Sequence, residues 1–216
     1  MKWFLLPALI NPATLPRLVL CDLDTLGTLP LREFAAGMAE VIKYGVIYDA
    51  KFFSHLERDL PMLLKRTDST LAATITRCCR IKAKVVAQDE KECGLRTILN
   101  FGHTIGHALE AISRYGKYQH GEAISIGQVA AAIISNELIG LPTEDTTRIA
   151  AIFERAGLPV NVKLSAAQTR QLISAMRLDK KVSAGEIKFV LAKRIGKVIT
   201  GQTVSTKIIR QALNRK

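Results

Sequence analysis

Apolar residues recur at every third or fourth position through most of the chain, a spacing that predicts amphipathic helices. Two segments, 97–114 and 120–140, are apolar almost throughout, so we expect them to form helices that are buried on most sides. The other helical segments that the spacing predicts are 32–49, 50–66, 68–92, 143–157, 165–179 and 205–216.

Two segments have the pattern of strands instead. Residues 17–22, RLVLCD, predict a buried strand, and Gly27 and Pro30 mark the turn that follows it. Residues 186–201 contain two short runs rich in β-branched residues around a glycine-containing turn, which predicts a hairpin. The sequence therefore predicts a mainly α fold with one small β-hairpin.

The segment 68–92 predicts a long amphipathic helix, with Asp68 or Ser69 available to cap its start. Lys82 interrupts its apolar stripe, and a salt-bridged surface lysine is the ordinary explanation for such a position. Ser165 is the candidate cap of a later helix. The stripe contains Leu71, Ile75, Cys78, Cys79, Lys82 and Val86.

The composition is that of a globular protein with a sizeable core, because 48% of its 216 residues are hydrophobic and 23% are charged. No apolar run approaches the roughly 18 residues of a membrane span, and the apolar first ten residues lack a signal-cleavage pattern. The four cysteines include no C-x-x-C pair. We therefore expect reduced thiols, a cytoplasmic location and no membrane partner.

The positive charge is concentrated near one end of the chain. The net charge is +12, and residues 180–216 carry ten Lys or Arg against one acid, Glu186. A basic tail of this kind can bind nucleic acid, but Phe189 is its only aromatic residue and it contains no nucleic-acid-binding motif. We therefore expect an anionic small molecule as the partner, with nucleic-acid binding as the alternative.

Three of the four histidines lie within 18 residues of one another. His103 and His107 are four residues apart, so they share one face of a helix, and His120 follows. Each histidine could instead be a hydrogen-bonded core residue. Catalytic zinc takes three protein ligands from histidines and carboxylates, a set that Glu40, His120 and either His103 or His107 would supply. The competing interpretation of Glu40 is an ion pair with Lys43 within one helix.

Several cations accompany these candidate ligands, and they would suit a substrate that carries phosphate and carboxylate groups. Asn100 adds a neutral hydrogen-bonding group, and Glu92 adds a possible base. The cations are Lys43, Lys82, Lys84, Arg96, Lys180 and Lys181.

Four blocks of sequence, in the same order along the chain, resemble the C-terminal domain of 3-dehydroquinate synthase. The resemblance extends from about residue 17 to the C-terminus. The blocks are LPLREFAAGMAEVIKYGVIYDAKFF, DEKECGLRTILNFGHTIGHALE, HGEAISIGQVAAA and LDKKVSAGEIKFVLAKRIGK.

The resemblance implies a role for each candidate residue. Glu40, His103 and His120 match the ligands of a zinc or cobalt ion. His107 then matches a proton acceptor on the phosphate side, and Glu92 a proposed acid or base. The positions that match substrate contacts are Lys43, Lys82, Arg96, Asn100 and Lys180, and those that match an NAD contact are Thr25, Leu26, Gly27 and Thr28.

The family reaction converts 3-deoxy-D-arabino-heptulosonate 7-phosphate into 3-dehydroquinate, with release of phosphate, in the shikimate pathway. NAD oxidises the substrate and later reduces it, and the metal polarises hydroxyl and ketone oxygens as a Lewis acid. This phosphate-eliminating lyase chemistry accounts for the cations better than nucleic-acid binding does. We also expect a homodimer, because a missing nucleotide domain would leave apolar surface near the N-terminus.

The chain departs from the family pattern before residue 17, where no glycine-rich nucleotide-binding segment occurs. A strand, turn and helix that bind a nucleotide need about 30 residues. We therefore expect residues 1–29 to be a remnant of the nucleotide-binding domain and residues 30–216 to form the helical metal- and substrate-binding domain. The 216 residues alone should not turn over substrate. The alternatives are a non-catalytic zinc-binding remnant and a cyclase of another sugar phosphate.

Overall fold

Helices dominate the computed structural model, which describes residues 18–91, 94–113, 117–178 and 187–214. The mainly α prediction and the predicted hairpin are confirmed. Two short 3-10 helices are Asp24–Leu26 and Leu95–Asn100. The other elements are α1 (Leu31–Tyr48), α2 (Ala50–Leu64), α3 (Asp68–Gln88), α4 (His103–Ile112), α5 (His120–Ile139), α6 (Thr143–Arg155), α7 (Ala166–Leu178), β1 (Lys188–Arg194), β2 (Lys197–Thr203) and α8 (Thr206–Asn214).

Helix α5 lies at the centre and contacts α1, α4, α6, α8 and β1. It starts with a capping box, in which the side chains of Gln119 and Glu122 satisfy each other's backbone N–H groups, and it ends at Gly140 in the left-handed conformation. By length and composition it is the one described helix that could cross a membrane, but 67% of that window is buried inside the protein. Burial on most sides identifies α5 as a core helix, as its sequence predicts.

Two glycines of α5 allow its neighbours to approach closely. A Cβ atom on Gly121 would lie 1.8 Å from the carbonyl oxygen of Ala36 in α1. A Cβ atom on Gly127 would lie 2.0 Å from the carbonyl oxygen of Gly102, which precedes α4. Because neither position tolerates a side chain, α1 and the start of α4 pack directly on the backbone of α5.

The hairpin packs against α5 and α1. β1 pairs antiparallel with β2, with irregular register at two points. The backbone N–H of Ala192 donates to the Ser135 hydroxyl of α5 at 2.9 Å, and the N–H of Gly196 donates to the carbonyl of Val46 in α1 at 2.8 Å. These bonds join the hairpin to α1 and α5, two of the three helices that carry the candidate ligands described below.

The prediction of a buried strand at residues 17–22 is wrong for the part that the structure describes. Residues 18–22 form no strand, and Leu18, Val19 and Leu20 are 82%, 67% and 77% exposed. A strand needs a neighbour to satisfy its backbone groups, and within the described residues the two strands pair only with each other.

The predicted stripe of α3 is confirmed in part, because Leu71 is buried and Ile75, Cys78 and Val86 are half-buried, whereas Cys79 and Lys82 are exposed. The residues of α3 that are buried are Leu71, Thr74, Ile81 and Val85. Lys82 is exposed, so it does not interrupt the buried face. The adjacent cysteines caused the error, because an apolar pattern can pass through either one, and only Cys78 is partly buried against the core.

The predicted helix starts have mixed outcomes. Helix α3 begins at Asp68 after Thr67, and no side chain caps it. The Ser165 hydroxyl accepts a bond from the backbone N–H of Gln168 at 3.2 Å, so the predicted cap of α7 is confirmed. The segment 97–114 is not one helix, because Gly102 (φ 80°) separates a 3-10 helix from α4.

Candidate metal centre

Three helices bring Glu40, His103 and His120 together. Glu40 lies in the middle of α1, and the two histidines are the first residues of α4 and α5. The Oε1 atom of Glu40 is 3.5 Å from Nε2 of His103 and 3.8 Å from Nε2 of His120. One ligand atom from each residue lies within 4.8 Å of the other two. A carboxylate and two imidazoles are a ligand set that suits zinc with an open position.

One oxygen of Glu40 has no protein partner. Its Oε2 atom accepts a bond from Nζ of Lys43 at 2.5 Å, whereas Oε1 is buried and makes no hydrogen bond. An unsatisfied buried carboxylate oxygen is costly unless a cation compensates it. This oxygen faces the Nε2 atoms of both histidines, so a divalent cation between the three side chains fits the arrangement.

The backbone before α4 orients His103. The left-handed conformation of Gly102 turns the chain, and Nδ1 of His103 lies 3.1 Å from the carbonyl oxygen of Phe101. Because a carbonyl oxygen only accepts, Nδ1 carries the hydrogen and the Nε2 lone pair faces Glu40. Burial, reinforced by the charge of Lys43, lowers the pKa of His103 to about 4. The ring is therefore neutral near pH 7, as a metal ligand must be.

A carboxylate of α4 holds the other side of His120. Nδ1 of His120 lies 3.1 Å from Oε1 of Glu110 and 3.3 Å from its Oε2. This hydrogen bond raises the pKa of His120 and lowers that of Glu110. Metal binding at Nε2 would therefore have to displace a proton from His120 wherever the ring is charged.

The pair formed by Glu40 and Lys43 is embedded in this cluster. Lys43 is only 3% exposed, and burial lowers its pKa although Glu40 acts in the opposite direction. Burial alone would raise the pKa of Glu40, but Lys43 and the histidines more than offset this and hold it below its ordinary value. The predicted ion pair is confirmed and uses Oε2, so it leaves Oε1 of Glu40 for the predicted role as a metal ligand, which stays a prediction.

His107 lies one turn beyond His103, and its ring is exposed. The centre of its ring is 5.2 Å from that of His103 and 5.9 Å from that of His120. Together with Glu110 and His120 it forms a second group whose ligand atoms lie within 4.8 Å of one another. The two groups share His120.

Sequence reasoning did not include Glu110, although its spacing of three residues from His107 could have indicated a shared face.

The residues predicted to contact substrate differ in burial and in hydrogen bonding. Lys82 is exposed on α3, yet its charge helps to lower the pKa of Lys43. Arg96 donates from Nη1 to the carbonyl oxygen of Glu90 at 2.9 Å. Asn100 is half-buried at the end of the 3-10 helix before α4. Glu92 and Lys180 lie outside the described residues, and the role of each of these residues stays a prediction.

The segment predicted to contact NAD forms a turn before α1. Thr25 donates from its hydroxyl to the Asp22 carbonyl at 2.7 Å, and Thr28 donates to the Thr25 carbonyl at 3.3 Å. The guanidinium group of Arg66 donates to the carbonyls of Leu26, Gly27 and Leu29 at 2.7, 3.0 and 2.6 Å. The turn is therefore attached to the junction between α2 and α3, a contact that the sequence did not indicate.

Comparisons with known proteins found a matching family model and a similar curated protein. Residues 37–182 match the family model described as the 3-dehydroquinate synthase C-terminal domain. Over 200 residues the chain is 50% identical to a 3-dehydroquinate synthase of Nostoc punctiforme. The match covers 92% of this chain and 55% of that protein, so the chain spans about half the length of this curated relative.

Two solved structures share the fold. A 2-epi-5-epi-valiolone synthase of Streptomyces hygroscopicus, with NAD+ and Zn2+ bound, superposes with a TM-score of 0.80 at 22% identity and covers 89% of this chain and 53% of its own. A 2-deoxy-scyllo-inosose synthase complexed with carbaglucose-6-phosphate, NAD+ and Co2+ superposes with a TM-score of 0.74 at 26% identity. The match covers 92% of this chain and 55% of that synthase. The first likeness, at that identity, concerns the fold alone.

Proposed function

Because this chain belongs to the family of the 3-dehydroquinate synthases, we propose that it carries the metal- and substrate-binding part of that activity. The reaction is the conversion of 3-deoxy-D-arabino-heptulosonate 7-phosphate into 3-dehydroquinate with release of phosphate. Glu40, His103 and His120 hold the metal, Zn2+ or Co2+. The buried Oε1 atom of Glu40, which lacks a protein partner beside two Nε2 atoms, is the observation that carries this proposal.

When bound, the metal supplies Lewis-acid polarisation of the substrate's hydroxyl and ketone oxygens. The chain's own residues orient the metal ligand Glu40 and bind the anionic groups of the substrate. Lys43 keeps the Glu40 carboxylate ionised and oriented through the bond to Oε2. Four cations and one amide suit the phosphate and carboxylate of the substrate. The cations are Lys43, Lys82, Arg96 and Lys180, and the amide is that of Asn100.

His107 is the proposed proton acceptor on the phosphate side. Its ring is exposed and lies beside His103, outside the Glu40 ligand group, so a bound substrate could approach it from solvent. An imidazole ring has both a nitrogen that accepts a proton and a nitrogen that donates one, which suits proton transfer. Glu92 is proposed as a further acid or base.

Hydride transfer requires NAD, and we propose that the turn Thr25–Thr28 provides one of its contacts. The described residues contain no strand followed by a glycine-rich turn and a helix, the unit that binds dinucleotides. The 216 residues alone should therefore release no phosphate from the substrate. Residues 1–29 would belong to the nucleotide-binding side, residues 30–216 to the helical domain, and the protein to the cytoplasm.

The test uses two proteins. The first is the 216-residue chain, and the second is the same chain fused behind the nucleotide-binding half of the Nostoc relative. With NAD, Zn2+ and the heptulosonate phosphate, the fusion should release phosphate and form 3-dehydroquinate, whereas the chain alone should not. Glu40→Gln in the fusion should abolish turnover. A fusion that binds Zn2+ and NAD but does not process this substrate would contradict the proposal.

A related cyclase activity is the second candidate. The likeness to 2-deoxy-scyllo-inosose synthase favours it, because at 26% identity that enzyme shares the fold and was solved with a sugar-phosphate analogue. A sugar phosphate that also bears a carboxylate can use more cations than one without a carboxylate, and Arg96 and Lys180 favour the former. Turnover of glucose 6-phosphate by the fusion, in place of the heptulosonate phosphate, would select the second candidate.

A further inference from the structure

We propose that Glu110 is a positioning residue that selects the tautomer of His120 and thereby decides which of two overlapping groups binds the metal. By accepting a hydrogen bond from Nδ1, Glu110 leaves the Nε2 lone pair of His120 directed at Glu40 and His103. The inference rests on the proposed metal centre and deepens it.

The contact between Glu110 and His120 is set by helix packing. Glu110 lies in the last turn of α4 and His120 begins α5. The two helices are in close contact, because a Cβ atom on Gly106 of α4 would lie 2.5 Å from the Cδ1 atom of Ile124 in α5. Both carboxylate oxygens of Glu110 lie within 3.3 Å of Nδ1. The helices therefore hold the carboxylate against this nitrogen.

The two candidate groups make incompatible demands on His120. A neutral imidazole has one N–H and one lone pair. With the hydrogen on Nδ1, the lone pair is on Nε2, which faces Oε1 of Glu40 at 3.8 Å. With the hydrogen on Nε2, Nδ1 could join Glu110 and His107 around a cation instead. Because Glu110 is a hydrogen-bond acceptor when ionised, it favours the first arrangement and is not itself a ligand in it.

Two further observations favour the same choice. The buried oxygen that lacks a partner belongs to Glu40, whereas both oxygens of Glu110 already face Nδ1 of His120. His107, which the second group needs, is exposed, whereas all three members of the first group are partly buried. A carboxylate that accepts the other ring N–H of a histidine ligand also raises the basicity of that histidine. Loss of such a partner weakens metal binding by about 10–100-fold.

The first test needs no metal. Long-range nitrogen–proton NMR of the metal-free chain, at a pH well above the pKa of His120, reports which ring nitrogen carries the hydrogen. The parent should show the Nδ1–H tautomer, Glu110→Ala should lose it, and Glu110→Gln, which retains a neutral acceptor, should keep it. Glu154→Gln, at an exposed carboxylate of α6, is the matched control. An unchanged tautomer in Glu110→Ala would overturn the proposal.

The second test measures Zn2+ affinity by competition with a chelating dye. Glu110→Ala should weaken binding by about 10–100-fold, Glu110→Gln should weaken it less, and His107→Ala should leave it unchanged. If Glu110→Ala and His107→Ala both abolish binding while His103→Ala retains it, Glu110 is a direct ligand and the proposal is wrong. A parent chain that binds no Zn2+ would refute the metal centre, while the tautomer measurement would still decide the role of Glu110.

Discussion

The candidate metal centre and the turn before α1 are held in place in different ways. Glu40, His103 and His120 come from three helices whose backbones touch at Gly121 and Gly127, so the positions of these side chains follow from the packing of the core. The turn of residues 24–29 is attached by one guanidinium group and by the partly buried Leu26 and Leu29. Residues 18–20, before it, are exposed.

This difference indicates that the two halves of the proposed site have separate requirements. The contacts named above for the candidate metal centre lie within the helical part that the structure describes. The segment proposed to contact NAD is, among the described residues, a short turn beside exposed apolar residues, and a turn of this kind cannot by itself enclose a dinucleotide. Metal binding should therefore be measurable in this chain, and disturbances of one region should leave the other intact. The following changes test that separation.

The largest effect should come from Gly121→Val, which places methyl groups where the backbone of α1 now lies. A Cβ atom there would be 1.8 Å from the Ala36 carbonyl, so α1 must move away from α5. We expect a loss of more than about 3 kcal/mol in the free energy of unfolding, measured by urea denaturation, together with loss of Zn2+ binding.

The matched control for this change is Gly37→Ala. Nothing lies within 4 Å of a Cβ atom at Gly37, the residue that follows Ala36 in α1. The substitution should stabilise the chain by about 0.5–1 kcal/mol, because alanine favours a helix interior. Equal destabilisation by both substitutions would contradict the role given to close packing.

A second prediction concerns the ligands. Glu40→Gln and His103→Ala should each weaken Zn2+ binding by more than about 100-fold, since loss of an outer partner alone weakens it by 10–100-fold. His55→Ala on α2, which changes a histidine outside both candidate groups, should have no effect in the same titration. Weakening by His55→Ala to the same degree would indicate non-specific binding by histidines.

A third prediction follows from the pKa of His103, which is lowered to about 4 in the folded chain from an ordinary 6.5. The unfolded chain then binds more protons at this residue between these two pH values, so stability falls as the pH is lowered through that window. The slope from this group is at most about 1.4 kcal/mol per pH unit.

The comparison that isolates His103 is the difference in urea stability between the parent and His103→Asn at pH 7 and pH 4.5. The other groups of the cluster also titrate, and Glu110 and His120 act with opposite signs, but they are common to both chains. The parent should lose more stability than the variant on acidification. Parallel curves would show that His103 is not held neutral by burial.

The smallest effect should follow from Arg66→Ala. The substitution removes the donors to the carbonyls of Leu26, Gly27 and Leu29, so amide hydrogen exchange in residues 24–29 should become faster. Zn2+ affinity should change by less than about twofold, because no contact of Arg66 involves the ligands. Arg66→Gly provides the control, because it removes the same side chain but relieves the positive φ of 58° at this position. A marked loss of Zn2+ affinity in both variants would show that the two regions are coupled.

Periodicity predicted the helices and the hairpin, because their apolar faces are long and their turns carry glycine. It was only partly right for the stripe of α3, where Cys79 and Lys82 are exposed, and it was wrong for residues 18–22, whose apolar sequence predicts a strand that has no pairing partner among the described residues. Gly102 broke a segment that apolar spacing alone joined into one helix. Each failure depended on a contact or a conformation that local pattern does not contain.

The candidate site was partly accessible from the sequence. Clustered histidines and an intrahelical carboxylate suggested Glu40, His103, His107 and His120, and the resemblance separated the roles of the two neighbouring histidines. Glu110 and Arg66 were not predicted. Glu110 contacts His120, 10 positions along the chain, and Arg66 contacts Leu26, 40 positions away. Only the packing of the helices brings these partners together.

The most direct test of the metal centre is the zinc K-edge X-ray absorption spectrum of the 216-residue chain with one equivalent of Zn2+. We expect two imidazole nitrogens and one carboxylate oxygen from the protein, at about 2.0–2.2 Å, with one imidazole lost in His103→Ala and none lost in His107→Ala. A spectrum with three imidazoles, or one that changes in His107→Ala and not in His103→Ala, would contradict it.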